Sequence, residues 1–209
     1  MRRALLFITH QTERYDYLQS VEIALLGGCR KIQLRMKDAT PEEVERTGRR
    51  ALDMCNDFHA DLYIDDHVEI CQHLQATGVH LGKSDMPPAK ARQYLGKDFV
   101  IGGTANTFDD ICSLLAQGVD YIGLGPFSFT RTKKNLSPVL GQEGYRDIME
   151  RCRKANIRLP VIAIGGITRK DIPELMQTGI AGIALSSAIL STDNPVEETK
   201  FILQQLNAL

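Results

Sequence analysis

Residues 160–168, PVIAIGGIT, read together with residues 180–189, IAGIALSSAI, decide the architecture of this chain. Each stretch begins with an apolar run short enough for a buried strand and ends in glycines or serines that open the next helix. Adjacent Gly165 and Gly166 allow positive φ and turn backbone amides toward a ligand. Ser186 and Ser187 offer hydroxyls and amides at the neighbouring strand end. A helix starting beyond such a turn adds unpaired N–H groups and the positive end of its dipole, so the two turns together read as a phosphate cradle. Taken alone, the Gly-Gly pair fits an ordinary strand-to-helix turn equally well.

Working outward, the same grammar recurs: β-branched strand, polar or Gly-rich turn, amphipathic helix, then a Gly near the helix end (Gly27, Gly78, Gly118, Gly179). Upstream strands are expected at 4–9, 31–35, 61–65, 78–82, 99–104 and 120–125. Helices are expected at 15–26, 41–56, 67–75, 87–94, 107–117, 141–155, 169–177 and 195–206. Thr40-Pro41-Glu42-Glu43 reads as a helix start, and Asp109 and Asp110 suit the positive end of another. Strand-helix alternation calls for a parallel sheet, and eight units call for closure. The expected fold is α/β, a single-domain (β/α)8 TIM barrel spanning residues 1–209 as one catalytic domain; a doubly wound open sheet is the alternative.

Composition narrows the function. The 209 residues are enough for one sizeable core, and the net charge of −1 gives no basic excess for nucleic acid. No apolar run is long enough to span a bilayer, and the run after Arg3 is too short for a signal-peptide core. The five cysteines form no CxxC pair and are odd in number, which reads as reduced packing residues in a cytoplasmic protein.

In a barrel of this kind, polar residues at the C-terminal strand ends converge on one mouth. Those positions hold Gln33, Arg35 and Lys37, then Asp65 and Asp66, His80 and Asp85, Thr104 and Asn106, and finally Thr130, Thr132, Lys133 and Lys134. Asp66 and Asp85 suit one Mg²⁺, a hard cation that takes one or two carboxylates plus phosphate oxygens. Each is equally explained as a helix cap, for the helices starting near His67 and Pro87. Arg35, Lys37 and Lys133 suit a diphosphate, with Arg35 as a bidentate fork and the lysines as point charges. Gln33 both donates and accepts, which suits a heterocycle edge, though an interior polar role fits it too. His80 lies between Val79 and Leu81 and reads as core; His10, His59 and His73 carry no usable signal.

The motifs QLRMK (33–37), YIDDH (63–67), GVHLGKSDM (78–86), IGGTAN (101–106), DYIGLGPFSFTRTKKN (120–135), PVIAIGGIT and GIALSSAI together resemble the thiamine phosphate synthase family. The resemblance runs in order along essentially the whole chain. It implies a barrel enzyme that joins 4-amino-5-hydroxymethyl-2-methylpyrimidine diphosphate to 4-methyl-5-(2-hydroxyethyl)thiazole phosphate, with small molecules as its partners and a homo-oligomer left open. By the family pattern, Asp66 and Asp85 ligate Mg²⁺, while Arg35, Lys37 and Lys133 hold the diphosphate. Gln33 contacts the pyrimidine, and Thr104 stands where the family commonly has Ser. Gly166, Ser186 and Ser187 cradle the thiazole phosphate, with Gly165, Asp65, His80, Thr130 and Thr132 lining the substrate site. Three positions depart from the pattern: Asp65 replaces Asn, Asn106 replaces a histidine, and His10 replaces Asp. The rival readings are a thiazole tautomerase-like paralogue, which would need the missing histidine, and a non-catalytic binder of a thiamine intermediate.

Overall fold

The computed structural model describes residues 3–129 and 137–209. Eight parallel strands close into a barrel in sequence order: β1 Ala4–Ile8, β2 Lys31–Leu34, β3 Asp61–Asp65, β4 Gly78–Leu81, β5 Val100–Ala105, β6 Tyr121–Leu124, β7 Val161–Ile164 and β8 Gly182–Leu185. Closure is made by β1 against β8, in the register Ala4↔Gly182 to Phe7↔Leu185. The open-sheet alternative is thereby excluded.

Helices cover the outside: α1 Tyr17–Leu26, α2 Pro41–Asp57, α3 Val68–Leu74, α4 Pro88–Leu95, α5 Phe108–Ala116, α6 Gly141–Lys154, α7 Ile172–Gln177, α8 Ser187–Leu190 and α9 Pro195–Ala208. Their starts follow from local chemistry. Asp16 with Gln19, Thr40 with Glu43, and Thr107 with Asp110 each form reciprocal capping boxes, satisfying the first free amides of α1, α2 and α5. Pro173 has no N–H and is confined to the first turn of α7, so Arg169–Asp171 ahead of it winds as a 3-10 turn rather than extending the helix. The four-residue α8 is an addition to the sequence expectation. Ser191 N donates to Ser187 O (2.9 Å), and the chain then turns through Asp193 and Asn194 into Pro195, which starts α9.

Two cores result. Leu5, Phe7, Ile183 and Leu185 point outward into the layer between strands and helices. Leu6, Ile8, Tyr63, Tyr121, Ile162 and Ala184 alternate with that set and fill the barrel interior. Interior packing stops near the C-terminal strand ends, where Gln33, Asp65 and His80 are buried polar residues and the mouth begins.

Candidate active site

The mouth is a cleft of about 1300 Å³. Gln33, Arg35, Lys37, Asp65, His80, Asp85, Thr104, Asn106, Gly165, Gly166, Ser186 and Ser187 all line it, brought together by β2 to β5 and by β7 and β8. Thr130, Thr132, Lys133 and Lys134 lie outside the described residues. His10, noted in the sequence only as a departure from the family pattern, lines the cleft too, as do Tyr17 and Lys83, which the sequence reading did not single out. Burial, then the Arg35 charge, lowers the His10 pKa from the ordinary histidine value.

On the β2–β4 arc, cations and carboxylates interlock. Gln33 Nε2 donates to Asp65 Oδ1 at 2.5 Å, and Asp65 Oδ2 lies 3.5 Å from Arg35 Nε and 3.7 Å from Lys37 Nζ. Lys37 Nζ also donates to Asp66 Oδ2. Burial pulls the Lys37 ammonium down, but the Asp66 hydrogen bond and the charges of Asp65, Asp66 and Asp85 outweigh it and raise its pKa. The Asp66 pKa is raised from its ordinary value, chiefly by burial; Lys37 opposes this, and the charges of Asp65 and Asp85 reinforce it. With its Nε2 donating to Asp65, Gln33 keeps its amide oxygen as an acceptor.

Neither carboxylate is a helix cap. His67 and Pro87 hold the N-cap positions of α3 and α4, with no side-chain cap bond at either. Asp66 is instead in the left-handed region (φ 61°), its amide bonded to His80 O at 2.9 Å, a conformation uncommon outside Gly that Asp and Asn adopt more readily than other residues. Asp85 Oδ2 accepts from Gly82 N at 2.6 Å. Among the described residues no three His, Cys, Asp or Glu converge on one point, so the chain offers an incomplete oxygen set rather than a closed cage.

On the β7–β8 arc, Gly165 (φ 94°) and Gly166 (φ 67°) take the positive-φ turn expected of them. Gly165 O accepts from Ser128 N at 2.9 Å, tying this turn to the segment after β6. Among the described residues, Ser186 Oγ is buried without a hydrogen-bond partner. Such an orphan is rare and calls for a ligand or water. Asn106 spans the roots of the segment between β6 and α6, donating through Nδ2 to Gly125 O and accepting from Ser137 Oγ at 2.9 Å. An amide so committed cannot shuttle a proton, which removes the residue that the tautomerase reading needs.

A closed barrel that gathers Asp65, Asp85, Arg35, Lys37 and a double-glycine turn on one mouth has the form of a (β/α)8 enzyme with a polar, charged cleft. The sequence model of the family described as thiamine monophosphate synthase matches residues 5–189. Curated thiamine-phosphate synthases are 59% identical over 96% of this chain and 98% of the Bacteroides fragilis protein, and 44% identical over 99% and 96% for Flavobacterium johnsoniae. The solved thiamine phosphate pyrophosphorylase from Pyrococcus furiosus superposes with a TM-score of 0.83 at 30% identity, covering 98% of this chain and 97% of that one. The chain belongs to the thiamine monophosphate synthase family, and its activity is that of a thiamine-phosphate synthase, a transferase of thiamine biosynthesis.

Proposed function

We propose that this chain joins 4-amino-5-hydroxymethyl-2-methylpyrimidine diphosphate to 4-methyl-5-(2-hydroxyethyl)thiazole phosphate, releasing thiamine phosphate and diphosphate. One observation carries the reading: two anion-suited subsites sit on separate arcs of one cleft, Arg35 and Lys37 on one and Gly165, Gly166 and Ser186 on the other. Two phosphorylated substrates need two such subsites within bonding reach of each other.

The methylene–oxygen bond breaks with its electron pair leaving on the diphosphate, and the thiazole nitrogen then donates its lone pair to the methylene carbon. The aminopyrimidine ring delocalises the intervening positive charge, so the protein supplies positioning and electrostatics rather than a nucleophile. Arg35 and Lys37 hold the diphosphate through charge-assisted hydrogen bonds. Gln33 presents its oxygen to the ring's amino group, and Thr104 its hydroxyl to a ring nitrogen. Gly166, Ser186 and Ser187 hold the thiazole phosphate. Asp66 and Asp85 fit Mg²⁺: both are hard oxygen donors, and the repulsion from Asp65 and Asp85 that adds to burial in raising the Asp66 pKa is what a divalent cation would relieve. When bound, that ion neutralises charge developing on the leaving diphosphate. All five cysteines are free, which suits a cytoplasmic enzyme. Among the described residues no helix is long and apolar enough to cross a membrane.

The direct test is product formation from the two purified substrates. Thiamine phosphate should appear with Mg²⁺, vanish with chelator and return when Mg²⁺ is restored; no product under any condition would overturn the reading. Arg35→Lys removes the fork while keeping the charge. It should raise KM for the pyrimidine diphosphate about tenfold without moving KM for thiazole phosphate; unchanged kinetics would take Arg35 out of the site. Ser186→Ala deletes a hydroxyl that has no partner among the described residues. Stability should change by no more than about 0.5 kcal/mol, while KM for thiazole phosphate rises about tenfold. A large stability loss with KM intact would show that the hydroxyl serves the fold.

A further inference from the structure

Just inside the mouth, side chains from three adjacent strands form a hydrogen-bonded chain. Nδ1 of His80 on β4 lies 3.0 Å from the Tyr121 hydroxyl on β6, and Nε2 lies 2.9 Å from Oγ1 of Thr104 on β5. The two rings are 5.5 Å apart between centroids and tilted by 34°. The barrel makes room for them. His80 pairs with Gly102, which in turn pairs with Tyr121. A Cβ on Gly102 would run into the Tyr121 ring, and one on Gly123 would lie 2.9 Å from His80 Cε1. Two glycines in consecutive strands therefore serve to seat this pair of rings.

The direction of the chain follows from proton counting. Burial, with Tyr63 and the Asp65 carboxylate adding to it, raises the Tyr121 pKa well above the ordinary value, so its hydroxyl keeps its proton. Among the described residues, His80 Nδ1 is the hydrogen-bond partner of that hydroxyl. A buried O–H left without an acceptor is costly, so Tyr121 donates and Nδ1 accepts. An imidazole accepting at Nδ1 is neutral and carries its proton on Nε2, which donates to Thr104 Oγ1. With that oxygen already accepting, the Thr104 hydroxyl directs its own proton into the cleft that it lines.

We propose that Tyr121 and His80 are positioning residues that hold the Thr104 hydroxyl as a fixed hydrogen-bond donor toward an unprotonated ring nitrogen of the substrate. The last step rests on the reading that Thr104 faces the aminopyrimidine; the proton order within Tyr121, His80 and Thr104 does not. The device selects an aminopyrimidine, whose ring nitrogen accepts, over an oxo-pyrimidine carrying N–H at that position, because two donors would then face each other.

Two measurements test this. In the ligand-free protein, ¹⁵N NMR of the histidines, with His80 assigned by its loss in His80→Gln, should show His80 protonated on Nε2 and not on Nδ1. In kinetics, Tyr121→Phe keeps the ring in its slot and should lower kcat/KM for the pyrimidine diphosphate about tenfold, leaving KM for thiazole phosphate unchanged. Thr104→Val should cause a similar loss, and adding Tyr121→Phe to it should cost nothing further, since the effect is transmitted through the Thr104 hydroxyl. A proton on Nδ1 of His80 overturns the proposal. So does an undiminished Tyr121→Phe loss in the Thr104→Val background, which would mark a purely structural role. If the wild-type protein forms no thiamine phosphate, the proposed function fails, and the NMR result alone still decides the proton order.

Discussion

Asp85→Asn is expected to lower turnover by about a hundredfold or more while leaving thiazole phosphate affinity within a factor of about two. The size follows from what the carboxylate is asked to do. Diphosphate departs as a multiply charged anion, and losing one of two carboxylates assigned to the metal weakens the neutralisation of that charge as it develops. A loss of roughly 3 kcal/mol in the transition state corresponds to about a hundredfold. The substitution is a clean probe because the structural duty of Asp85 is small. Its Oδ2 accepts from Gly82 N at 2.6 Å, and an asparagine oxygen can accept the same bond. Thermal stability should therefore be close to wild type. Excess Mg²⁺ should restore part of the lost rate if the defect is metal affinity. Equal losses of turnover and of thiazole phosphate binding would count against the metal assignment and point to a collapsed mouth. The same variant separates an enzyme from a binder of a thiamine intermediate, since a binder has no turnover to lose.

The barrel was legible because parallel strands buried on both faces must be apolar runs, and those runs alternate with capped amphipathic helices. Thr40 with Glu43 and Thr107 with Asp110 mark helix starts that the structure reproduces as capping boxes. Strand-end polarity was legible for the same reason: Gln33, Arg35, Asp65 and Asp85 interrupt apolar sequence where the fold opens to solvent, and all four line the cleft. What stayed hidden depends on three-dimensional register. Tyr121 reads as one more strand residue until Gly102 is found beside it, leaving space for its ring. The positive φ of Asp66 is only weakly marked by its residue type, and a carboxylate ahead of a helix looks like a cap. In sequence, Asp65 reads only as a departure from the family pattern. Its contacts with Gln33, Arg35 and Lys37 give it instead the task of orienting all three. The Ser186 orphan is likewise invisible in sequence, because whether a serine finds a partner is settled by packing.

Gly166→Ala should be the most damaging single-methyl change in the phosphate turn. The backbone at Gly166 has φ 67°, where any residue with a Cβ pays about 1–2 kcal/mol. A second cost is steric. The added Cβ would lie 2.6 Å from Ser128 O and 2.7 Å from Phe129 O, both backbone atoms that cannot rotate away. Nor can that backbone slide freely, since Ser128 N is bonded to Gly165 O at 2.9 Å and Phe127 N to Ile164 O at 3.0 Å. Relief therefore requires the turn to open, which moves the amides away from the thiazole phosphate. We expect a stability loss of roughly 2–4 kcal/mol, seen as a fall in Tm of roughly 5–10 °C, and a rise in KM for thiazole phosphate of about a hundredfold. Gly118→Ala supplies the control. Its φ of 74° carries the same conformational cost, but nothing lies within 4 Å of the added methyl. That variant should lose about 1 kcal/mol and keep its KM. If both variants lower Tm equally and leave KM alone, the double-glycine turn serves only the chain reversal after β7. If Gly166→Ala alone loses thiazole phosphate, the close approach of two backbone segments is what shapes the subsite, and glycine is required there for space as well as for φ.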